Sequence, residues 1–408
     1  MRVAFVGQDV PAVIERKFLD IETSLVAEAR QFGGQPKAER ILSLIQAQNE
    51  LAEISERTRS VTALVYPTLV GDRLEVLVIP PQTKGTPFLR IRYDLRPNQV
   101  PELVAALRSD LLDPTSQDYL MPAQELHRLL MAPIDAELKK RQIETLVFVM
   151  SGELRSVPPA VLHNGRQFLI EEYAIASLPA LSLTRLQERD RQNNRVLAMG
   201  ISEAMGGFGA LPAVPVEVRT VAQATGDVFL NEPVTVQTLQ QQRQQNRFGI
   251  VHLATHAQFT GTTADGAFIQ LWNERLPIAQ IPNLNLDSPQ VELLVLSACQ
   301  TAVGPGLGLG GMALQEGVRS VLASLWAVSD AGTVPLTLGF YQELQESRTK
   351  AIALQDIQQQ MLRGQIRVAN GQLTGVRGLG ALAVPVAGTL DLRHPFFWSA
   401  FSLVGNWL

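Results

Sequence analysis

The 408-residue chain predicts an α/β protein, a three-layer sandwich built on a mostly parallel central sheet. Three observations carry this expectation. Short runs rich in Val, Ile and Leu recur along the chain, as in Thr145 to Met150, Ile250 to Ala254 and Val291 to Ala298, and each reads as a strand buried on both faces. Helical segments fall between these runs, and strands alternating with helices need helices on the faces of a sheet. Hydrophobic residues make up 46 % of the chain and charged residues 18 %, which suits a large buried core.

The first element is a helical N-terminal segment over 1–59, with a hairpin of two helices over 12–59. Ile14, Phe18, Ile21 and Leu25 recur at spacings of three and four, and Gly33-Gly34 with Pro36 ends that helix. A second stripe of Ile41, Leu44, Ile45, Gln48, Leu51 and Ile54 follows. From Val61 the period becomes that of strands: Val61 to Tyr66 and Leu74 to Ile79 are separated by Gly71-Asp72, a hairpin signal, and Phe88 to Tyr93 continues the alternation. Helices are expected at about 98–113 and 121–141, then a strand from Thr145, then a proline-interrupted extended stretch over 152–162. The polar run Gln187 to Arg195 marks a break. It divides the remainder into 60–193 and 194–408, two tandem halves of similar kind. In the second half, strands are expected at Arg195 to Gly200, Ile250 to Thr255, Val291 to Ala298 and Ser320 to Leu325. Helices are expected at Val216 to Ala224 and near 310–317, and the Gln-rich 237–246 reads as a polar helix or loop. Residues 364–392 are rich in glycine and proline without a period, and read as a long surface loop.

Two of these strands end on reactive side chains. The first stops at His256, and the second delivers Cys299, the only cysteine of the chain. In parallel sheets ligands sit beyond the carboxyl ends of the strands, so the two side chains are expected to meet there. A thiol is largely protonated at neutral pH; a neighbouring imidazole raises the thiolate fraction and later protonates the leaving group.

Composition excludes several classes. A net charge of −4 gives no basic field, so a nucleic-acid partner is not expected. One cysteine rules out an intramolecular disulfide framework, and no Cys/His cluster has zinc spacing. No cofactor or metal is implied. No run of 18 apolar residues is present and Met1 to Val6 is too short for a signal segment, so no membrane association is expected and a reducing, cytoplasmic setting is favoured. The beginning lacks the look of a free-standing first domain, which leaves room for a longer protein of which this is the C-terminal part. Gly306 to Gly311 fits the dinucleotide pattern G-x-G-x-x-G, but the pattern demands a turn directly after the strand, and Cys299 to Pro305 intervene.

Val251-His252-Leu253-Ala254-Thr255-His256, Leu294 to Thr301 and Gly317 to Asp330 resemble the CHAT family of caspase-like cysteine proteases, relatives of caspases and separase. His394-Pro395, Trp398, Phe401, Leu403 and Gly405 fit the closing pattern of that family, and the segment 154–162 matches its earlier portion. The resemblance covers about 60–408. His256 precedes Cys299 by 43 residues, close to the roughly 50 of caspases. The resemblance implies His256 as general base, Cys299 as nucleophile and His252 as a structural member of its strand. It also implies an inactive caspase-like half over 60–193 followed by a catalytic one over 194–408. The family has Gly directly after the catalytic His, where this chain has Ala257. The N–H of that residue is expected to join the N–H of Cys299 in an oxyanion hole, with strain if the position requires a positive φ.

Two further residues follow from the next strand end. Asp330 is expected to pair with a Lys or Arg side chain of a protein or peptide substrate, with Trp326 along the stem of that side chain. The alternative for Asp330 is a cap on the helix beginning near Gly332. The N-terminal helices resemble the end of a helical repeat array, which implies gating by a helical-repeat or sensor partner. The rival to a cysteine endopeptidase is a weakly active or inactive caspase-like scaffold for protein interaction. It draws on Ala257 and on the lack of an upstream sensor module in the sequence.

Overall fold

A computed structural model describes residues 6–7, 9–31, 41–186, 194–223, 226–258, 266–284, 286–297 and 308–408. Two compact units divide after Leu186, and residues 1–29 group with the first of them.

In the first unit the strands are β1 (Val6–Gly7), β2 (Thr62–Val70), β3 (Arg73–Ile79), β4 (Phe88–Arg92), β5 (Thr145–Val149) and β6 (Ala174–Leu178). They lie in the order β1-β4-β3-β2-β5-β6. The β2–β3 hairpin turns at Gly71-Asp72, where Gly71 takes φ 59°. Strands β2, β5 and β6 run parallel. Around the sheet lie α1 (Pro11–Gln31), α2 (Leu44–Thr58), α3 (Gln99–Leu111), α4 (Leu120–Leu130), α5 (Asp135–Lys140) and α6 (Leu169–Glu172). The segment expected as one helix over 121–141 is therefore two, because Pro133 between them has no N–H to continue the ladder. On α2, Ser43 and Gln46 form a reciprocal capping box. Leu44, Leu51 and Ile54 bury the expected stripe, whereas Ile45 stays 48 % exposed.

Helix α1 is fastened by a buried charge. Glu22 is fully buried, and its carboxylate accepts from the Tyr66 hydroxyl (3.0 Å) and the N–H groups of Leu181 (3.0 Å) and Ser182 (2.8 Å). Glu22→Ala leaves three donors without an acceptor, at about 1–3 kcal/mol each if they stay dry. A loss of about 3 kcal/mol or more in urea unfolding is expected, with Glu22→Gln recovering part; a midpoint equal to that of the unsubstituted protein would show that the carboxylate holds nothing.

The second unit has a six-stranded sheet of β7 (Val196–Gly200), β8 (Asp227–Leu230), β9 (Ile250–Ala254), β13 (Leu293–Ser297), β14 (Ser320–Ser324) and β19 (Phe401–Gly405), in the order β8-β7-β9-β13-β14-β19. All neighbours are parallel except β14 and β19. A small antiparallel sheet of β10 (Ala257–Gln258), β11 (Phe268–Leu271) and β12 (Glu274–Pro277) follows β9. The helices are α7 (Val214–Val221), α8 (Val236–Gln245), α9 (Gly308–Gln315), α10 (Asp330–Glu346), α11 (Lys350–Leu362) and α12 (Pro395–Trp398). Side-chain alternation along β9 sorts the layers. Val251 and Leu253 join one core with Leu239 of α8 and Ala313 of α9, while His252 points to the other face and meets α7 and α10.

The long loop expected over 364–392 is instead a small antiparallel sheet of β15 (Arg367–Ala369), β16 (Gln372–Thr374), β17 (Leu382–Ala383) and β18 (Thr389–Leu390). Strands of two or three residues are too short to show a period of two. No helix among the described residues is long and apolar enough to cross a membrane.

Candidate active site

His256 stands where the chain leaves one sheet for another. Strand β9 ends at Ala254 and β10 begins at Ala257, so Thr255 and His256 make the corner. The corner is pinned on both sides: Thr255 donates its N–H to Ser297 O (3.3 Å) and its hydroxyl to Gln270 O (2.7 Å), and Gln270 N–H donates to His256 O (2.8 Å).

The ring of His256 is held by the loop after β7. Its Nε2 lies 2.8 Å from Gly209 O. A carbonyl only accepts, so Nε2 carries the hydrogen, and a neutral ring keeps its lone pair on Nδ1. Phe208 stacks on the imidazole with centroids 4.7 Å apart and planes at 13°. Both residues are delivered by a tight turn in which Met205 and Phe208 exchange backbone hydrogen bonds around Gly206 (φ 62°) and Gly207 (φ 91°). Neither Phe208 nor Gly209 was singled out from sequence; the Gly-Gly pair was the available signal.

Ala257 does not take the positive φ that would strain it, since it is absent from the left-handed region and lies extended in β10. The bond from Gln270 N–H to His256 O makes Ala257 and Ile269 the non-hydrogen-bonded pair of their ladder, which turns the Ala257 N–H away from β11.

His256 and Asp330 line one cleft, about 370 Å³ of space open to solvent, together with Glu217, Ser297 and Val328. Asp330 is the first residue of α10 and does not cap it: the N-cap is Ser329, and no side chain bonds there. Its carboxylate accepts the N–H of Ala213, immediately before α7. Burial pushes the Asp330 carboxyl up to about 6, the Ala213 N–H opposes this, and the charge of Glu217 adds to it.

Trp326 is not a wall of this cleft. It is 2 % exposed, and its indole N–H donates to Phe396 O at 3.0 Å. A buried indole needs an acceptor, and the one it finds lies inside, beside α12. Val328 takes the place on the wall. His252 is fully buried, as a structural member of its strand is. Cys299, like Gly306 and Leu307, lies outside the described residues. The β9–β13 ladder runs as far as the pair Ala254 and Ser297, and His256 and Cys299 each follow two positions later in sequence. Among the described residues no cluster of His, Cys, Asp and Glu could hold a metal ion.

The CHAT domain family matches residues 120–406, well over half of the sequence. The chain belongs to the CHAT family. Two crystal structures of the Saccharomyces cerevisiae separase–securin complex, at 2.6 and 3.0 Å resolution, share the fold of this CHAT protein. They are 11 % and 12 % identical to it, with TM-scores of 0.50 and 0.56. Each covers 97 % of this chain, which spans only 34 % of the matched chain. The fold is thus caspase-like, and the family is one of caspase-like proteases. No curated protein matches in sequence.

Proposed function

We propose that this CHAT protein is a cysteine endopeptidase that cuts protein substrates after a basic residue. The Cys299 thiol gives its proton to His256, and the sulfur bonds to the peptide carbonyl carbon. The oxyanion so formed accepts the N–H groups of Ala257 and Cys299. The C–N bond then breaks, the imidazolium proton goes to the leaving amine, and water activated by the same imidazole hydrolyses the thioester and restores the thiol. Asp330 takes the side chain of the residue before the cut.

The observation that carries this reading is the oriented imidazole of His256, held by Gly209 and Phe208 in a cleft that Asp330 also lines. The extended backbone of Ala257 removes one reason to favour a scaffold over an enzyme. Regulation by a protein partner belongs to the same reading; the separase structures contain securin, and the partner here is expected to act through α1 and α2. A peptide-library cleavage profile of the purified protein, with Cys299→Ala as control, tests the proposal. Cleavage after lysine or arginine that the control lacks supports it, and identical profiles for the two proteins overturn it.

A further inference from the structure

The loop between β7 and α7 passes the imidazole as a strap, and one of its fastenings is chemically labile. The strap is closed at its base, where Leu211 N–H donates to Ser202 O (2.9 Å) and the Asn231 carboxamide oxygen accepts the N–H (2.8 Å) and the hydroxyl (3.1 Å) of Ser202. Between these ends Glu203, Ala204, Gly206, Gly207, Gly209 and Ala210 are exposed, so little buried surface holds the strap down. Two side chains tie it to the elements beneath. Phe208 lies on His256 and meets Phe268 edge-on, with centroids 6.3 Å apart. Met205 reaches the turn between β11 and β12, where its Sδ accepts the N–H of Asn273 at 3.0 Å. Met205 and Phe208 also exchange the backbone hydrogen bonds of the strap's own turn. A displacement of Met205 is therefore passed to Phe208, and from there to Gly209, the next residue, and to the imidazole.

The sulfur contact lies at the surface. Met205 is half-buried and Asn273 is exposed, so a small oxidant reaches the sulfur. A thioether is a weak acceptor, and once it carries oxygen the sulfur is the positive end of the S–O dipole and accepts no longer. The Asn273 N–H then goes to water or to the new oxygen. A contact of about 2.9 Å to that oxygen needs the sulfur to withdraw by about 1 Å. Among the other described methionines, Met131, Met150, Met199 and Met361 are buried, while Met121 is 67 % exposed on α4 of the first unit. Met205 thus combines access for an oxidant with a hold on the site.

We infer that Met205 is an oxidation site through which a hydroperoxide loosens the strap, frees the His256 imidazole from Phe208 and Gly209, and lowers the activity of the site. A sulfur lone pair attacks the terminal peroxide oxygen, the S–O bond forms and the O–O bond breaks. The proton of the transferred oxygen passes to the departing one, which leaves as water or an alcohol; sulfur is oxidised by two electrons and the peroxide reduced by two. Methionine sulfoxide reductases return the sulfoxide to the thioether, so the change is reversible. The inference rests on the proposed peptidase reading for its effect on turnover, and on the strap alone for its effect on His256.

The first arm of the test needs no turnover. The full chain carrying Cys299→Ala, which removes its only cysteine, is labelled with nitrogen-15 histidine and treated with hydrogen peroxide, and sulfoxide at each methionine is measured by peptide mass spectrometry. The Nε2–H signal of His256, assigned by its loss when His256→Ala is added, is expected to shift or broaden in step with sulfoxide at Met205 and not with sulfoxide at Met121. Methionine sulfoxide reductase should bring it back, and in Met205→Leu on the same background peroxide should leave it as it was. Sulfoxide at Met205 with an unchanged signal overturns the inference. So does a Met205 that stays reduced while Met121 is fully converted.

The second arm reads turnover in the unsubstituted chain, with the Cys299 thiol capped as a mixed disulfide during peroxide treatment and released by dithiothreitol afterwards. Oxidation at Met205 is expected to lower kcat/KM by about 10-fold or more, since a misplacement of about 1 Å suffices for that, and the reductase should restore it. Treated and untreated Met205→Leu should give equal values. An imidazole signal that answers to Met205 oxidation in a protein that cuts no peptide keeps the inference and discards the peptidase. Turnover that ignores sulfoxide at Met205 keeps the peptidase and overturns the inference.

Discussion

Cys299→Ala and His256→Ala are each expected to reduce peptide turnover by about 10³-fold or more, while leaving the melting temperature within a few degrees. The two losses should not add. In the proposed mechanism thiol and imidazole act as one unit, so the double substitution should cost no more than the worse single one. His256 is half-buried at a corner pinned through the backbone groups of Thr255, His256 and Gln270, so truncating its side chain leaves the corner in place. Labelled iodoacetamide gives an independent reading: it should modify Cys299 in the unsubstituted protein and do so much more slowly in His256→Ala, because fewer thiols are ionised without the imidazole. Equal labelling of the two proteins, with turnover surviving both substitutions, would leave the scaffold as the better description.

Asp330→Asn has the second largest expected effect, about 10- to 100-fold in kcat/KM on peptides with arginine or lysine before the cut. It also has a pH signature. The folded Asp330 titrates at about 6 against an ordinary 3.8, so the fold holds the neutral form better than the unfolded chain does. That contribution to stability is complete below about pH 4 and is lost as pH rises to about 6. Asparagine stays neutral and still offers an oxygen to the Ala213 N–H. The melting temperature of the variant should therefore gain on that of the unsubstituted protein between pH 4 and 7. Activity moves oppositely: kcat/KM of the unsubstituted protein on basic peptides should rise through pH 6 as the carboxylate forms, and the variant should lack that step. A lower melting temperature at pH 7 with an unchanged peptide preference would mean that Asp330 serves only to hold Ala213.

Much of this architecture is legible in the sequence because buried parallel strands are nearly continuous apolar runs. The strands at Thr145, Ile250, Leu293 and Ser320 stand out for that reason. The small sheets were not legible, since β10, β17 and β18 hold two residues each. His256 and Asp330, chosen from their place at strand ends, line one cleft. Trp326 went the wrong way because its N–H sought an interior acceptor. Gly209 acts through its carbonyl, which every residue has, so no residue type could flag it. Glu217 falls on the apolar stripe of Val214, Val218 and Val221, so its place in the lining of the cleft follows only from the packing of α7.

The acceptor for the His256 hydrogen is the backbone of Gly209, and a peptide carbonyl survives every amino-acid replacement. Random mutagenesis therefore has no codon change that deletes this partner, in contrast to a side-chain acceptor, which a single base change can erase. Its vulnerability is displaced onto the turn that carries it. At Gly206 any added Cβ would come within 2.4 Å of Gln270 Oε1, at a φ of 62°. Loss-of-function alleles affecting the imidazole from this side should thus gather at the glycine pair, two and three residues upstream of the atom that matters, and drift at Gly209 itself should be comparatively free.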